Sequence, residues 1–302
     1  MRSTSPPVAG IAIFGVTGRM GQTLLRALRE APTSGLDAQA GEGAHAGVGL
    51  GGTEGGAAPP SPSLVGALAS SQSRRLGQDA AAEGPVTGVI VSADPRVVLQ
   101  RAAVAIDFSL PQCVAANARA CAEAGVPLLL GTTGFDAAAR VALEAAAKKI
   151  PVLIAPNTSV GVNVVTQLVK LATQALGRAY DVEISEAHHR MKRDAPSGTA
   201  LALGEAVAKA RGVEFDQVAV FDRHGNHEPR RDGDIGFAVV RAGDIVGEHT
   251  VTFAAAGERV EITHRASDRM TFALGALRAA QWLIGRPPGL YSMKDVLGWD
   301  QA

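Results

Sequence analysis

The stretch Val8-Ala-Gly-Ile-Ala-Ile-Phe14-Gly15-Val16-Thr17-Gly18-Arg19-Met20-Gly21 decides the fold of this chain. Val8 to Phe14 is a short apolar run with prolines before it and glycine after it, the pattern of a strand buried on both faces. A helix follows from about Arg19 to Glu30, with Leu24, Leu25 and Leu28 on its apolar side. Glycines at 15, 18 and 21 permit a tight turn and a close approach of backbone to a pyrophosphate. The helix N-terminus adds unpaired N–H groups and a partial positive charge. The same glycines also suit a βα turn that binds nothing. The strand–turn–helix context favours a nucleotide.

Outward from this unit, short apolar strands alternate with helices. Strands are expected at Leu64 to Ala69, Val86 to Val91, Val104 to Phe108, Pro127 to Leu130 and Val152 to Ala155. Helices are expected after Asp94-Pro95, from Gln112 to Ala124 with Gly125 as its stop, and from Asp136 to Lys149. Proline at a first helical position and glycine past the last one are ordinary boundary signals. The pattern predicts an α/β fold, a Rossmann-type doubly wound parallel sheet. One segment stands apart: about 34 to 63 is mostly Gly, Ala, Pro and small polar residues, and is expected to be a flexible insertion.

After residue 160 the pattern changes. Helices are expected over Val162 to Leu176 and Ala200 to Arg211, the second stopped by Gly212. Strand-like runs cover Tyr180 to His188, Val218 to Phe221, Ile235 to Arg241, Glu248 to Ala255 and Arg259 to His264. This is a smaller α+β unit with a sheet facing solvent or a partner. A final helix, Met270 to Ile284, is apolar enough to rejoin the first unit. The expected division is 1–159 with 269–302 for dinucleotide binding, and 160–268 for substrate binding and oligomerisation.

The 302 residues are 46% hydrophobic, with 29 Lys+Arg against 29 Asp+Glu. The first figure supports a real core; the charge balance argues against a nucleic-acid or membrane-surface binder. No apolar run reaches membrane-spanning length, and Met1-Arg-Ser-Thr-Ser-Pro-Pro7 lacks a signal-peptide core, so a cytoplasmic location is expected. Cys113 and Cys121 have neither redox nor zinc spacing and read as small helical residues.

Chemistry concentrates in Glu186-Ala-His188-His189-Arg-Met-Lys192-Arg-Asp194-Ala-Pro-Ser197-Gly198-Thr199. On a strand, Val182, Ile184, Glu186 and His188 share one face. Histidine titrates near neutral pH, and lysine supplies a proton or a fixed charge. Ser197-Gly198-Thr199 opens a helix whose free N–H groups can hold a carboxylate. Adjacent histidines project differently and no third ligand sits at a metal spacing, so no metal is expected. His249 and His264, inside strands, read as structural. Arg269 suits either a substrate acid or a structural ion pair.

Gly131-Thr132-Thr133-Gly134 and Ala155-Pro156-Asn157-Thr158 each follow a strand, at the sheet edge where ligands bind. Both can offer backbone groups to a carboxamide such as nicotinamide; both are also ordinary turn chemistry. The second strand ends in Ala69-Ser70, without the acid that normally binds an adenosine ribose, and Arg74 and Arg75 follow. These arginines suit either a 2′-phosphate or plain solvent.

With these motifs together the chain resembles the 4-hydroxy-tetrahydrodipicolinate reductase (dihydrodipicolinate reductase) family of bacterial lysine and diaminopimelate biosynthesis. The resemblance rests on Gly15-Val-Thr-Gly18-Arg-Met-Gly21, Asp107-Phe-Ser, Gly131-Thr-Thr-Gly134-Phe, Ser159-Val-Gly-Val-Asn163 and Glu186-Ala-His-His. It continues in Lys192-Arg-Asp-Ala-Pro-Ser-Gly-Thr-Ala200, Arg241-Ala-Gly-Asp-Ile-Val-Gly-Glu-His249 and Ile262-Thr-His-Arg-Ala. It implies an NADH- or NADPH-dependent oxidoreductase, usually a homotetramer built through the second sheet, acting on a small cyclic dicarboxylate. It implies His188 as proton donor or acceptor and Lys192 as proton donor. It further implies His189, Gly198 and Thr199 as substrate contacts. Gly15, Val16, Thr17, Gly18, Arg19, Met20, Ser70, Gly131, Thr132, Thr133, Ala155, Pro156, Asn157 and Thr158 would line the cofactor. Two departures stand out: Thr158 replaces a common aromatic, and Ala69-Ser70 replace the usual acid and following arginine. The competing expectations are an aspartate- or semialdehyde-type dehydrogenase, and a nucleotide-binding sensor without catalysis.

Overall fold

The computed structural model describes residues 9–30, 62–225 and 227–299. The expected insertion therefore lies outside the described residues up to residue 61. In chain order the elements begin β1 (Gly10–Phe14), α1 (Arg19–Glu30), β2 (Ser63–Leu68), β3 (Val91–Ser92), α2 (Pro95–Leu99) and β4 (Val104–Asp107). Then come α3 (Val114–Ala124), β5 (Leu128–Leu130), α4 (Ala137–Ala147), β6 (Pro151–Ile154), α5 (Val160–Leu176), β7 (Asp181–His188) and α6 (Gly198–Arg211). The rest are α7 (Phe215–Val218), β8 (Ala219–Val220), β9 (Ile235–Arg241), β10 (Gly247–Ala255), β11 (Glu258–Ala266), α8 (Met270–Leu283), β12 (Gly289–Tyr291) and α9 (Met293–Val296). Two compact units divide at Thr158/Ser159 and at Thr271/Phe272.

The first unit holds a seven-stranded sheet in the order β12-β6-β5-β4-β1-β2-β3, every pair parallel. This is the doubly wound arrangement that the alternating pattern predicts, and its strand order reverses direction at β1. Ile11, Ala12, Ile13 and Phe14 are wholly buried, which is why β1 reads as a continuous apolar run. Each parallel strand delivers its following loop to the same edge. Turn amides bond the strand ends there: Gly15 and Val16 N–H to the Leu68 carbonyl, Phe108 to Phe14, Gly131 to Asp107 and Ala155 to Leu130.

The expected strand Val86 to Val91 shrinks to Val91–Ser92. Pro85 and Gly88 (φ +74°) interrupt it, and Asp79 gathers the segment into a loop. The Asp79 carboxylate accepts from the Ala81, Thr87 and Gly88 N–H groups and the Thr87 hydroxyl. Partial burial alone would raise its pKa, yet these bonds bring it down to about 2. The helix expected from Gln112 opens instead as a 3₁₀ turn, Pro111–Cys113, before α3. Sequence reading also missed β12 and α9. Both are too short to carry a period; α9 depends on a Ser292–Asp295 capping box.

The second unit holds a five-stranded sheet in the order β11-β10-β7-β9-β8. β7 is antiparallel to β10 and parallel to β9. Val182, Ile184, Val251, Phe253 and Ile235 are fully buried against α5 and α6, through Val165, Val169, Leu203 and Val207. Each such side chain contributes roughly 1.5–3 kcal/mol of burial. The opposite face alternates outward and carries Ser185, Ala187, Ala238, Val240, Thr250 and Thr252, with Glu183, Glu248, Glu261 and Arg265 on the same face. The strand expected at Val218 to Phe221 is only Ala219–Val220, because α7 runs through Val218. No helix of the described residues is long and apolar enough to cross a membrane.

Candidate active site

On β7 the inner face changes character along its length. Val182 and Ile184 belong to the core, and two and four residues further the same face presents Glu186 and His188. Its neighbour β10 makes the reverse change: Phe253 and Val251 are core, and His249 follows opposite Glu186 in the ladder. Directly paired residues stand on one face. The chemistry therefore occupies the last two rungs of a hydrophobic face.

Glu186 is the hub. Its side chain is 1% exposed, and Arg241, beside His188 in the β7–β9 register, pairs with both oxygens at 2.8 Å. The Ser197 N–H donates to Oε1 at 3.0 Å, and His188 Nδ1 lies 2.6 Å from Oε2. Burial alone would raise the Glu186 pKa, but the bonds from Arg241, His188 and Ser197 hold it below the ordinary carboxylate range. Burial lowers His188, with the Glu186 carboxylate opposing and the positive charges of Lys192 and Arg241 assisting. His188 is thus a neutral imidazole at neutral pH, ready to accept a proton.

Ser197 caps α6 through its hydroxyl, which accepts from the Ala200 N–H at 3.2 Å. The same hydroxyl meets His249 Nε2 at 2.9 Å. His249 packs edge to face against His188, ring centroids 5.1 Å apart. Burial, then the neighbouring His188, drives the His249 pKa down to about 4. His249 has a structural part: it supports the helix start and the catalytic candidate together. Its strand position made it look like any inward residue, because the β10–β7 register is invisible to local pattern.

Lys192 Nζ donates to Asp194 at 2.8 Å and its side chain is 21% exposed. His189 Nε2 lies 3.1 Å from an Arg269 nitrogen, so the second unit brings Arg269 to one of the expected substrate contacts. A Cβ built on Gly198 would meet nothing within 4 Å, and the residue is exposed. The start of α6 is therefore open for a carboxylate to approach its amides. Among the described residues no group of three His, Cys, Asp or Glu is arranged to hold a metal ion.

In the first unit, a cavity of about 550 Å³ lies at the switch point, lined by Gly15, Thr17, Gly18, Ser70, Phe108 and Asn117 among others. Gly15 has φ +76°, and a Cβ there would stand 2.6 Å from the Phe108 carbonyl oxygen. Gly21 lets α1 close on the turn, since its Cβ would stand 2.5 Å from the Gly15 oxygen. The cradle fits a dinucleotide: bare backbone, a helix N-terminus, and no bulk in the way. Asp107, fully buried at the end of β4, accepts from Ser109 N–H, Asn117 and Thr132. Burial pushes its pKa up, with those bonds opposing. The expected Thr132 and Thr158 hydroxyls are committed elsewhere, to Asp107 and to the Phe272 carbonyl at 2.7 Å; what they can offer a ligand is backbone. Arg75 is likewise committed, to the carbonyls of Asp79 and Ala81, while Arg74 is exposed. Cys121 is buried in α3, where burial pushes its thiol up, and Cys113 lines the cavity.

Comparison with known proteins gives the family. The family models for dihydrodipicolinate reductase match twice, the N-terminus over residues 56–158 and the C-terminus over 161–297. A 4-hydroxy-tetrahydrodipicolinate reductase from Thiobacillus denitrificans is 48% identical over 289 residues, covering 95% of this chain and 98% of that protein. One from Alkalilimnicola ehrlichii is 48% identical over 290 residues, covering the same shares. Among solved structures, a dipicolinate-bound dihydrodipicolinate reductase from Paenisporosarcina sp. TG-14 superposes with TM-score 0.67 at 21% identity, covering 95% of this chain and 98% of that one.

Proposed function

The chain belongs to the dihydrodipicolinate reductase family, and on that premise we propose that it reduces 4-hydroxy-tetrahydrodipicolinate to tetrahydrodipicolinate, with the roles below. The observation that carries the site assignment is the Glu186 carboxylate, which holds both His188 Nδ1 and the Ser197 N–H at the open start of α6, with Lys192 near enough to act on His188. A cyclic dicarboxylate suits these groups, and dipicolinate is what the Paenisporosarcina reductase binds. One carboxylate goes to the Gly198 and Thr199 amides at the helix start. His189, held by Arg269, takes the other end of the ring.

A reduced nicotinamide, when bound, would supply the hydride, and the substrate's hydroxyl leaves as water. Gly15 to Met20, Ser70, Gly131 to Thr133 and Ala155 to Thr158 are the residues that would hold it. The protein's own part is positioning and proton handling. Lys192, a cation steered by Asp194, donates the proton that completes the reduction. His188, neutral at neutral pH, exchanges a proton through Nε2. Cations around the ring stabilise the electron-rich carbon before it is protonated. Ala69 and Ser70 offer neither an acid for an adenosine ribose nor a negative charge to repel a 2′-phosphate, and the cofactor is NADH or NADPH. We further propose a cytoplasmic homotetramer built through the second sheet, with no nucleic-acid or membrane partner.

The test is a coupled assay in which a synthase makes the cyclic substrate from pyruvate and aspartate semialdehyde while NADH and NADPH oxidation are followed separately. Oxidation that requires the synthase supports the reaction, and the two rates give the cofactor preference. Nucleotide binding without any oxidation would move the assignment toward the non-catalytic sensor.

A further inference from the structure

We propose that Glu186 is a positioning residue that sets which nitrogen of His188 works, and that Gly247 keeps that nitrogen accessible. The inference rests on the assignment of His188 as a proton-handling group. An ionised carboxylate accepts about four hydrogen bonds and donates none. Glu186 receives four: two from Arg241, one from the Ser197 N–H and one from His188 Nδ1. Its pair with Arg241 keeps it charged, so the proton in the 2.6 Å contact belongs to Nδ1. A neutral ring with Nδ1–H has its lone pair on Nε2.

Nε2 points at Gly247 in β10. A Cβ built there would stand 3.1 Å from Nε2 and 3.4 Å from the neighbouring ring carbon. Gly247 is buried, and its backbone is outside the left-handed region where glycine is conformationally required. The glycine therefore serves the histidine rather than a turn. Around this ring stand Glu186 on its own strand, Arg241 from β9, His249 from β10, and Lys192 and Asp194 from the loop before α6. Ser197 links the same carboxylate to the first turn of α6. One buried acid thus fixes the proton-handling ring and the carboxylate-binding helix start in a single frame.

The experiment combines ¹⁵N-histidine NMR with pH–rate profiles of kcat and kcat/KM for the full-length enzyme and three variants. Wild type should give the Nδ1–H tautomer for His188. Glu186→Gln keeps the shape but meets four donors with one acceptor atom. It should mix the tautomers, shift the His188-dependent limb of the profile to lower pH, and cut kcat at least tenfold with nucleotide KM unchanged. Gly247→Ala should leave the Nδ1–H tautomer intact and cut kcat by a similar factor. His188→Gln separates the two levels. If His188→Gln keeps the wild-type profile, the proton-handling assignment fails. If it removes that limb but Glu186→Gln leaves tautomer and profile unchanged, the positioning role fails. An Nε2–H tautomer in wild type overturns the proposal without any kinetics, even if Glu186→Gln does not fold.

Discussion

Ser197→Ala isolates the joint between the helix start and the buried histidines. The substitution removes one hydroxyl that does two jobs: it accepts from the Ala200 N–H at 3.2 Å and meets His249 Nε2 at 2.9 Å. Loss of an N-cap typically costs about 1 kcal/mol. Leaving a buried ring nitrogen without a partner costs about 1–3 kcal/mol more. Nothing nearby can compensate, because His249 Nδ1 already makes no hydrogen bond and the ring is 4% exposed. The sum is about 2–4 kcal/mol, which at about 2–4 °C per kcal/mol lowers the unfolding midpoint by roughly 5–15 °C. The Ser197 backbone N–H survives, so its bond to Glu186 and the ionisation of His188 should persist. Differential scanning calorimetry should show the drop, and Ser197→Thr, which keeps a hydroxyl, should recover most of it. Kinetically the substrate KM should rise about tenfold, equivalent to about 1.4 kcal/mol of lost binding as the first turn of α6 frays, while the nucleotide KM holds. A midpoint within 2 °C of wild type, or a threonine variant no better than alanine, would refute the reasoning.

Three further outcomes follow from the same geometry. His249 falls from 6.5 to about 4 on folding, so above pH 6.5 neither state carries its proton, and between about 6.5 and 4 only the unfolded chain takes it up. Stability should therefore decline as pH falls through that window, by roughly 3 kcal/mol in all, and denaturant titrations of His249→Gln should lose most of that slope. Lys192→Ala should lower kcat by about 10²–10⁴, the usual worth of a general acid, with little change in NADH affinity by calorimetric titration; equal loss of both would remove the lysine from the proton step. Gly15→Ala forces an alanine to φ +76° and its methyl to 2.6 Å from the Phe108 carbonyl. That left-handed conformation alone costs about 1–2 kcal/mol. NADH and NADPH affinity should each fall at least tenfold in fluorescence titration while far-UV circular dichroism is retained.

Local pattern determined a good deal. Buried parallel strands are continuous apolar runs, so β1, β4, β5 and β6 were legible, and with them the doubly wound sheet and its glycine turn. Ser197-Gly198-Thr199 announced a capped helix, and period-two alternation put Glu186 and His188 on one face. These features depend on residues a few positions apart, and backbone sterics and burial read them the same way in any fold. What the linear order did not carry was partnership across the sheet. Arg241 lies 55 residues from Glu186, His249 lies 52 from Ser197, and Gly247 meets His188 only because β10 runs back along β7. Arg75 looked available for a phosphate until the Asp79 loop claimed its guanidinium. Sequence fixes which groups can handle a proton or hold an anion; strand register decides which of them touch, and only contact sets the charge of a buried acid and the tautomer of the histidine beside it.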